Sequence, residues 1–144
     1  MKYECLNIKN QLCFPLYAVS HKVTKRYKPY LDELDLTYTQ YITMMVLWDQ
    51  EKISVKDLGQ QLHLDSGTLT PLLKRLEKKG LITRERYKDD ERVLIVSITK
   101  EGMDLQEKAH TIPERIGACL PLSKEESLQL YHLLYKILDD MEEE

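Results

Sequence analysis

The stretch from Ser54 to Ile98 constrains this chain more than any other. Val55-Lys56-Asp57-Leu58-Gly59-Gln60-Gln61-Leu62 has the spacing of a short helix opened by Ser54, and His63-Leu64-Asp65 breaks it. A second helix is predicted from Ser66 to Lys79, stopped by Gly80. Leu81–Arg86 and Val93–Ile98 are rich in β-branched residues and read as two strands. The charged tip Tyr87-Lys88-Asp89-Asp90-Glu91-Arg92 joins them into a hairpin.

The flanks are helical. Leu16, Val19, Val23, Tyr27, Tyr30 and Leu34 recur every three or four residues, which predicts one helix from about 14 to 34 burying one stripe. Pro15 suits its first turn, whereas Pro29 removes an amide inside it and should kink or interrupt it near Tyr27. Thr37 caps a second helix, Tyr38 to Gln50, whose Tyr41, Ile42, Met44, Met45, Val46, Leu47 and Trp48 make it the expected spine of the core. Thr99 and Gly102 open a helix to about Gly117, and Ser123 with Glu126 forms a capping-box signature for a last helix ending near Met141. The order ααααββαα defines an α+β, mainly helical chain. Its 144 residues leave room for one domain, without repeats or a long linker.

Two short helices across a tight turn, followed by a charged hairpin, are the parts of a winged helix-turn-helix. In that arrangement the second helix enters the major groove of double-stranded DNA and the hairpin reaches the next groove. The net charge of −3 does not exclude this, because the charge is uneven. Residues 54–92 carry nine Lys and Arg against seven Asp and Glu, while residues 93–144 carry five against eleven and end in an acidic tail. On the second helix Leu69, Leu72, Leu73 and Leu76 form the buried stripe. Ser66, Gly67, Thr68, Thr70 and Pro71 then occupy the reading end, where small hydroxyls and free amides suit base edges and phosphates. Lys74 and Lys78 would hold phosphates. Pro71 removes one hydrogen bond to Gly67, whose missing β-carbon eases the crowding. On the hairpin, Arg92 beside Asp90 suits a narrow minor groove, with Arg84 and Arg86 extending the positive strip.

No apolar h-region and no run of about 18 apolar residues is present, so neither a signal peptide nor a membrane span is expected, and the protein should stay in the cytoplasm. Cys5, Cys13 and Cys119 form no CxxC pair and have no His at ligand spacing, so no metal site and no cofactor are predicted. Free thiols fit a reducing compartment. Cys13 stands at the start of a helix, where unpaired amides and the helix dipole favour a thiolate. Tyr17 lies four residues on, on the same face, and could hydrogen-bond the sulfur. Tyr27 is fourteen residues on, about 21 Å along a helix, so it and Tyr38 could meet this thiol only through another element or a second subunit.

The run Leu64-Asp65-Ser66-Gly67-Thr68-Leu69-Thr70-Pro71-Leu72-Leu73-Lys74-Arg75-Leu76-Glu77, the tip Asp89-Asp90-Glu91-Arg92 and the opening Gln11-Leu12-Cys13-Phe14 resemble the MarR family, and within it the organic hydroperoxide resistance regulators. The resemblance covers nearly the whole chain. It implies a homodimeric repressor on a pseudo-palindromic operator, with residues 1–36 and 99–144 forming the dimerisation helices and 37–98 the winged helix-turn-helix. It implies that Asp90 pairs with Arg75 to orient the wing and that Arg92 probes the minor groove. It further implies that Cys13 senses peroxide, that Tyr17 stands near it, that Tyr27 and Tyr38 reach it from the partner chain, and that Cys119 of the other subunit resolves the sulfenic acid as a disulfide. Pro15 departs from the pattern, since these regulators more often carry an aliphatic residue there. Two other readings stay open: release by a small phenolic or apolar ligand, or by another oxidant such as hypochlorite, and a thiol peroxidase. The peroxidase reading is opposed by Asn10-Gln11-Leu12, which offers neither Thr nor Arg in the turn before the thiol.

Overall fold

Two single turns of 3₁₀ helix, Glu4–Leu6 and Ile8–Asn10, lead into α1 (Cys13–Asp32) in the computed structural model, which describes residues 1–141. The last three residues of the acidic tail, Glu142 to Glu144, lie outside the described residues. Pro15 is the third residue of α1, where a backbone N–H has no partner within the helix anyway. The helix runs through Pro29 uninterrupted and stops at Asp32, two residues short of the expected end. The stop has a clear cause. Asp35 adopts φ +54°, its N–H donates to Asp32 O, and the Leu36 N–H donates to Leu31 O, which together make a Schellman end.

Thr37 and Gln40 cap α2 (Tyr38–Gln50) reciprocally, and Tyr41, Met44 and Leu47 bury its inner face, while Met45 stays exposed. Next comes β1 (Lys52–Ser54), a strand not predicted from the sequence because three residues show no alternation to read. α3 (Val55–Leu62) and α4 (Ser66–Lys78) follow as predicted, joined through His63 in the left-handed region at φ +54°. Leu58, Leu69, Leu72, Leu73 and Leu76 pack beneath them, at most 4% exposed. β2 (Ile82–Tyr87) and β3 (Asp90–Ile98) make the hairpin, and β1 pairs antiparallel with β3, giving the order β1-β3-β2. The pair Ile53 and Val96 brings two buried side chains into this core.

The predicted helix from Thr99 to Gly117 is three pieces instead: α5 (Lys100–Asp104), α6 (Gln106–Ala109) and α7 (Ile112–Cys119). Pro113 accounts for the second break, since it cannot donate back to Ala109. α5 is fixed by the Trp48 indole N–H, which donates to Gly102 O at 2.8 Å. The chain divides into two compact units, Met1–Ile112 and the remainder from Pro113, which carries most of α7 and all of α8 (Lys124–Asp140). The capping box of Ser123 and Glu126 forms as read. No residue of α8 is buried, and Leu128, Leu130, Tyr131, Leu133, Leu134, Tyr135 and Ile137 are all exposed.

Candidate functional site

Helix α4 presents Ser66, Gly67, Thr68, Pro71, Lys74 and Lys78 to solvent, with Thr70 half-buried, because the leucine stripe turns its other side inward. Its amino end is not simply a bare set of amides. Asp65 is the N-cap, and its carboxylate accepts from Thr68 N at 2.8 Å, which holds its pKa below the usual carboxylate value. The carboxylate places a negative charge at this helix end, where a bound anion would be repelled. The spacing Asp65-Ser66-Gly67-Thr68 is the signal that could have revealed this cap.

The wing differs from expectation in three ways. Its turn is shorter: Tyr87 pairs with Asp90, leaving Lys88-Asp89 as the loop. The register slips between Arg86 and Tyr87, since Arg86 pairs with Leu94, and the surplus segment Glu91-Arg92-Val93 lies in this irregularity, where the ladder no longer fixes side-chain direction. Asp90 does not pair with Arg75. Its carboxylate accepts from the Arg92 side chain at 3.1 and 3.2 Å and from the Arg92 backbone N–H at 3.0 Å, and these bonds, side chain first, lower its pKa. Two residues apart on one bulged strand, the pair closes locally before a distant guanidinium can compete. The Arg92 side chain remains 90% exposed. Arg75 instead lines a hollow of about 650 Å³ with Asp32, Asp35, Lys78 and Lys79.

Arg84 is also not a free cation of the strip. Its side chain is only 17% exposed and donates to Glu77 of α4 at 3.1 Å, leaving its Nε buried without a partner among the described residues. The brace between wing and reading helix is therefore Arg84 with Glu77. Nothing in the sequence marks a pair seven residues apart across the Gly80 turn. Arg86 stays exposed.

Cys13 is the first residue of α1 and, like Cys5 and Cys119, is a free, exposed thiol. Tyr17 does not hydrogen-bond it; the ring stacks edge-on to His21 with centroids 4.3 Å apart. Tyr27 and Tyr38 meet each other, at 5.0 Å between centroids, and both lie near Tyr41, which in turn contacts Trp48. Burial raises the pKa of all three phenols, that of Tyr41 to about 12, so they stay neutral and able to donate. This cluster lies at the far end of α1 from Cys13. Among the described residues, no group of His, Cys, Asp or Glu is placed to hold a metal ion, and no helix is long and apolar enough to cross a membrane.

A helix that presents hydroxyls at its amino end, a preceding helix across a tight turn and a three-stranded sheet ending in a charged hairpin with Arg92 exposed define a winged-helix DNA-binding protein. The sequence profile of the transcriptional regulators SarA/Rot matches residues 25–109. The chain is 49% identical over 140 residues to the organic hydroperoxide resistance transcriptional regulator of Bacillus subtilis strain 168, covering 97% of this chain and 95% of that one. It belongs to this family of transcriptional regulators, as the resemblance of its motifs implies. The solved structure of reduced AbfR bound to DNA aligns with a TM-score of 0.82 at 34% identity, over 99% of this chain and 98% of that one. The disulfide form of AbfR, a protein of Staphylococcus epidermidis, aligns with 0.68 at 37% identity, over 98% and 96%.

Proposed function

We propose that this transcriptional regulator represses from a pseudo-palindromic operator as a homodimer and releases it when an organic hydroperoxide oxidises Cys13. The observation that carries the reading is that Cys13, the first residue of α1, is a free and exposed thiol open to an oxidant. The thiolate attacks the peroxide oxygen, giving a sulfenic acid and an alcohol. Condensation with Cys119 of a second copy then forms a disulfide and expels water. Cys119 is exposed at the end of α7, and AbfR, a relative in sequence and fold, has been solved reduced, overoxidised and as a disulfide. The uncovered apolar side chains of α8 and of early α1, Phe14, Leu16 and Val19 among them, support the homodimer, since a second copy is the economical cover for such faces.

On DNA, Ser66, Thr68 and Thr70 would face base edges, Lys74, Lys78 and Arg86 phosphates, and Arg92 the minor groove. The test uses fluorescence anisotropy on an operator duplex selected in vitro, with one equivalent of cumene hydroperoxide per chain. Wild type should release DNA and show a Cys13 to Cys119 link between chains by non-reducing peptide mass spectrometry. Cys13→Ser should stay bound. Release by Cys13→Ser would refute the redox mechanism and favour a ligand bound in the hollow of about 320 Å³ beside Tyr38, lined also by His21, Lys25 and Lys28.

A further inference from the structure

The thiol and the reading helix lie on different elements, so a thiol-controlled repressor needs a rigid link between α1 and α4. Both helices end in the same way. At the end of α4 the Gly80 N–H donates to Glu77 O and the Leu81 N–H to Leu76 O, with Gly80 at φ +79°, a second Schellman motif matching the one at Asp35. The residue just before that glycine, Lys79, crosses to the other helix end. Its ammonium donates to the backbone carbonyl of Asp35, donates to Gln40 Oε1 at 3.4 Å, and lies 3.6 Å from the Asp35 carboxylate. Two hydrogen bonds and one ion pair thus converge on this ammonium.

The position of this cation is specific. Asp35 holds the left-handed turn that terminates α1, where the helix dipole is negative. Gln40 is 3% exposed, and the same Oε1 accepts from Thr37 N at the start of α2. Lys79 thus touches both the end of α1 and the cap of α2, beside an open hollow lined largely by charged side chains where apolar packing could have held the ends together. An exposed ion pair contributes little to stability. A side chain 30% exposed, fixed at its base by one Schellman turn and at its tip by another, contributes direction instead.

We propose that Lys79 is a positioning residue that couples the end of the thiol-bearing helix α1 to the reading helix α4. This rests on the proposed redox function, in that the signal carried is the state of Cys13. The link itself exists in the reduced protein and is testable without oxidant.

The test compares wild type with Lys79→Met, which keeps an unbranched stem of similar length to Cε and removes the ammonium, and with Lys79→Arg. Hydrogen exchange of the reduced protein is read first. Lys79→Met should accelerate exchange by about tenfold both at 33–36 and in the last turn of α4, with Lys79→Arg intermediate; unchanged exchange at 33–36 would overturn the link. Operator affinity is read next, reduced and oxidised. Lys79→Met should shrink the ratio of oxidised to reduced Kd at least fivefold while leaving the slope of log K against log salt unchanged. A slope shallower by about one would make Lys79 a phosphate contact and overturn the proposal. A wild type whose affinity ignores oxidation would refute the redox function and the signalling role together, with the exchange result still deciding the link.

Discussion

Truncating Glu77 strands the Arg84 guanidinium between reading helix and wing, and the structure sets the size of the effect. Removing one partner of a fully buried ion pair costs about 3–5 kcal/mol, whereas exposed pairs are worth about 0–1 kcal/mol. Here Arg84 is 17% and Glu77 40% exposed, so the pair stands between these limits. The Arg84 Nε already lacks a partner among the described residues, so losing the carboxylate leaves the guanidinium still less satisfied. Glu77→Ala should therefore destabilise by about 1.5–2.5 kcal/mol. Glu77→Gln, which can still accept a bond, should cost about half of that. Urea unfolding followed through Trp48, the single tryptophan, gives the stabilities, and a cycle with Arg84→Met and the double variant isolates the coupling. The same variants should lose operator affinity, since the brace aims the wing. A coupling below about 0.5 kcal/mol would show that the contact does not hold the wing and refute this reasoning.

Other perturbations probe separate parts. Arg92→Ala should weaken specific operator binding by about 1–3 kcal/mol in an anisotropy titration, and an unchanged Kd would remove the wing from the interface. A β-carbon at Gly102 would lie 2.3 Å from Leu81 O and 2.8 Å from Ile98 Cγ1, so Gly102→Ala should lower stability by about 1–3 kcal/mol, read as a lower urea midpoint. The pKa of Asp65 is lowered on folding, so its contribution is complete above the unfolded value and is lost as pH falls through the folded one; Asp65→Ser should flatten the acid limb of the stability profile. Tyr41 is pushed the other way, to about 12, so ionisation of the unfolded chain should erode stability as pH rises from about 10, and Tyr41→Phe should lessen that loss, with Tyr27 and Tyr38, also raised, supplying the remainder.

Most of the helices and the hairpin were legible in the sequence because each follows from rules acting within a few residues; the exception is the stretch from Thr99 to Gly117, read as one helix and folded as three. The leucine spacing of α4 fixed its inner face, Thr37 and Ser123 marked helix starts, and the β-branched runs marked β2 and β3. The outward residues at the start of α4 follow from the same local geometry, as does Cys13 at the start of α1, whereas the direction of Arg92 is set within the bulge. Tertiary structure decided how charges are shared. Arg84, Arg75 and Lys79 are equivalent cations in the sequence, yet one braces the wing, one lines a hollow and one joins two helix ends. Tyr27 and Tyr38 share a cluster only because the turn at Asp35 folds α2 back on α1. Periodicity reports which side of an element is buried, because the 3.6 and 2 residue repeats are local; which long polar side chain reaches which acceptor depends on where distant elements end, and that is set only when the core has packed.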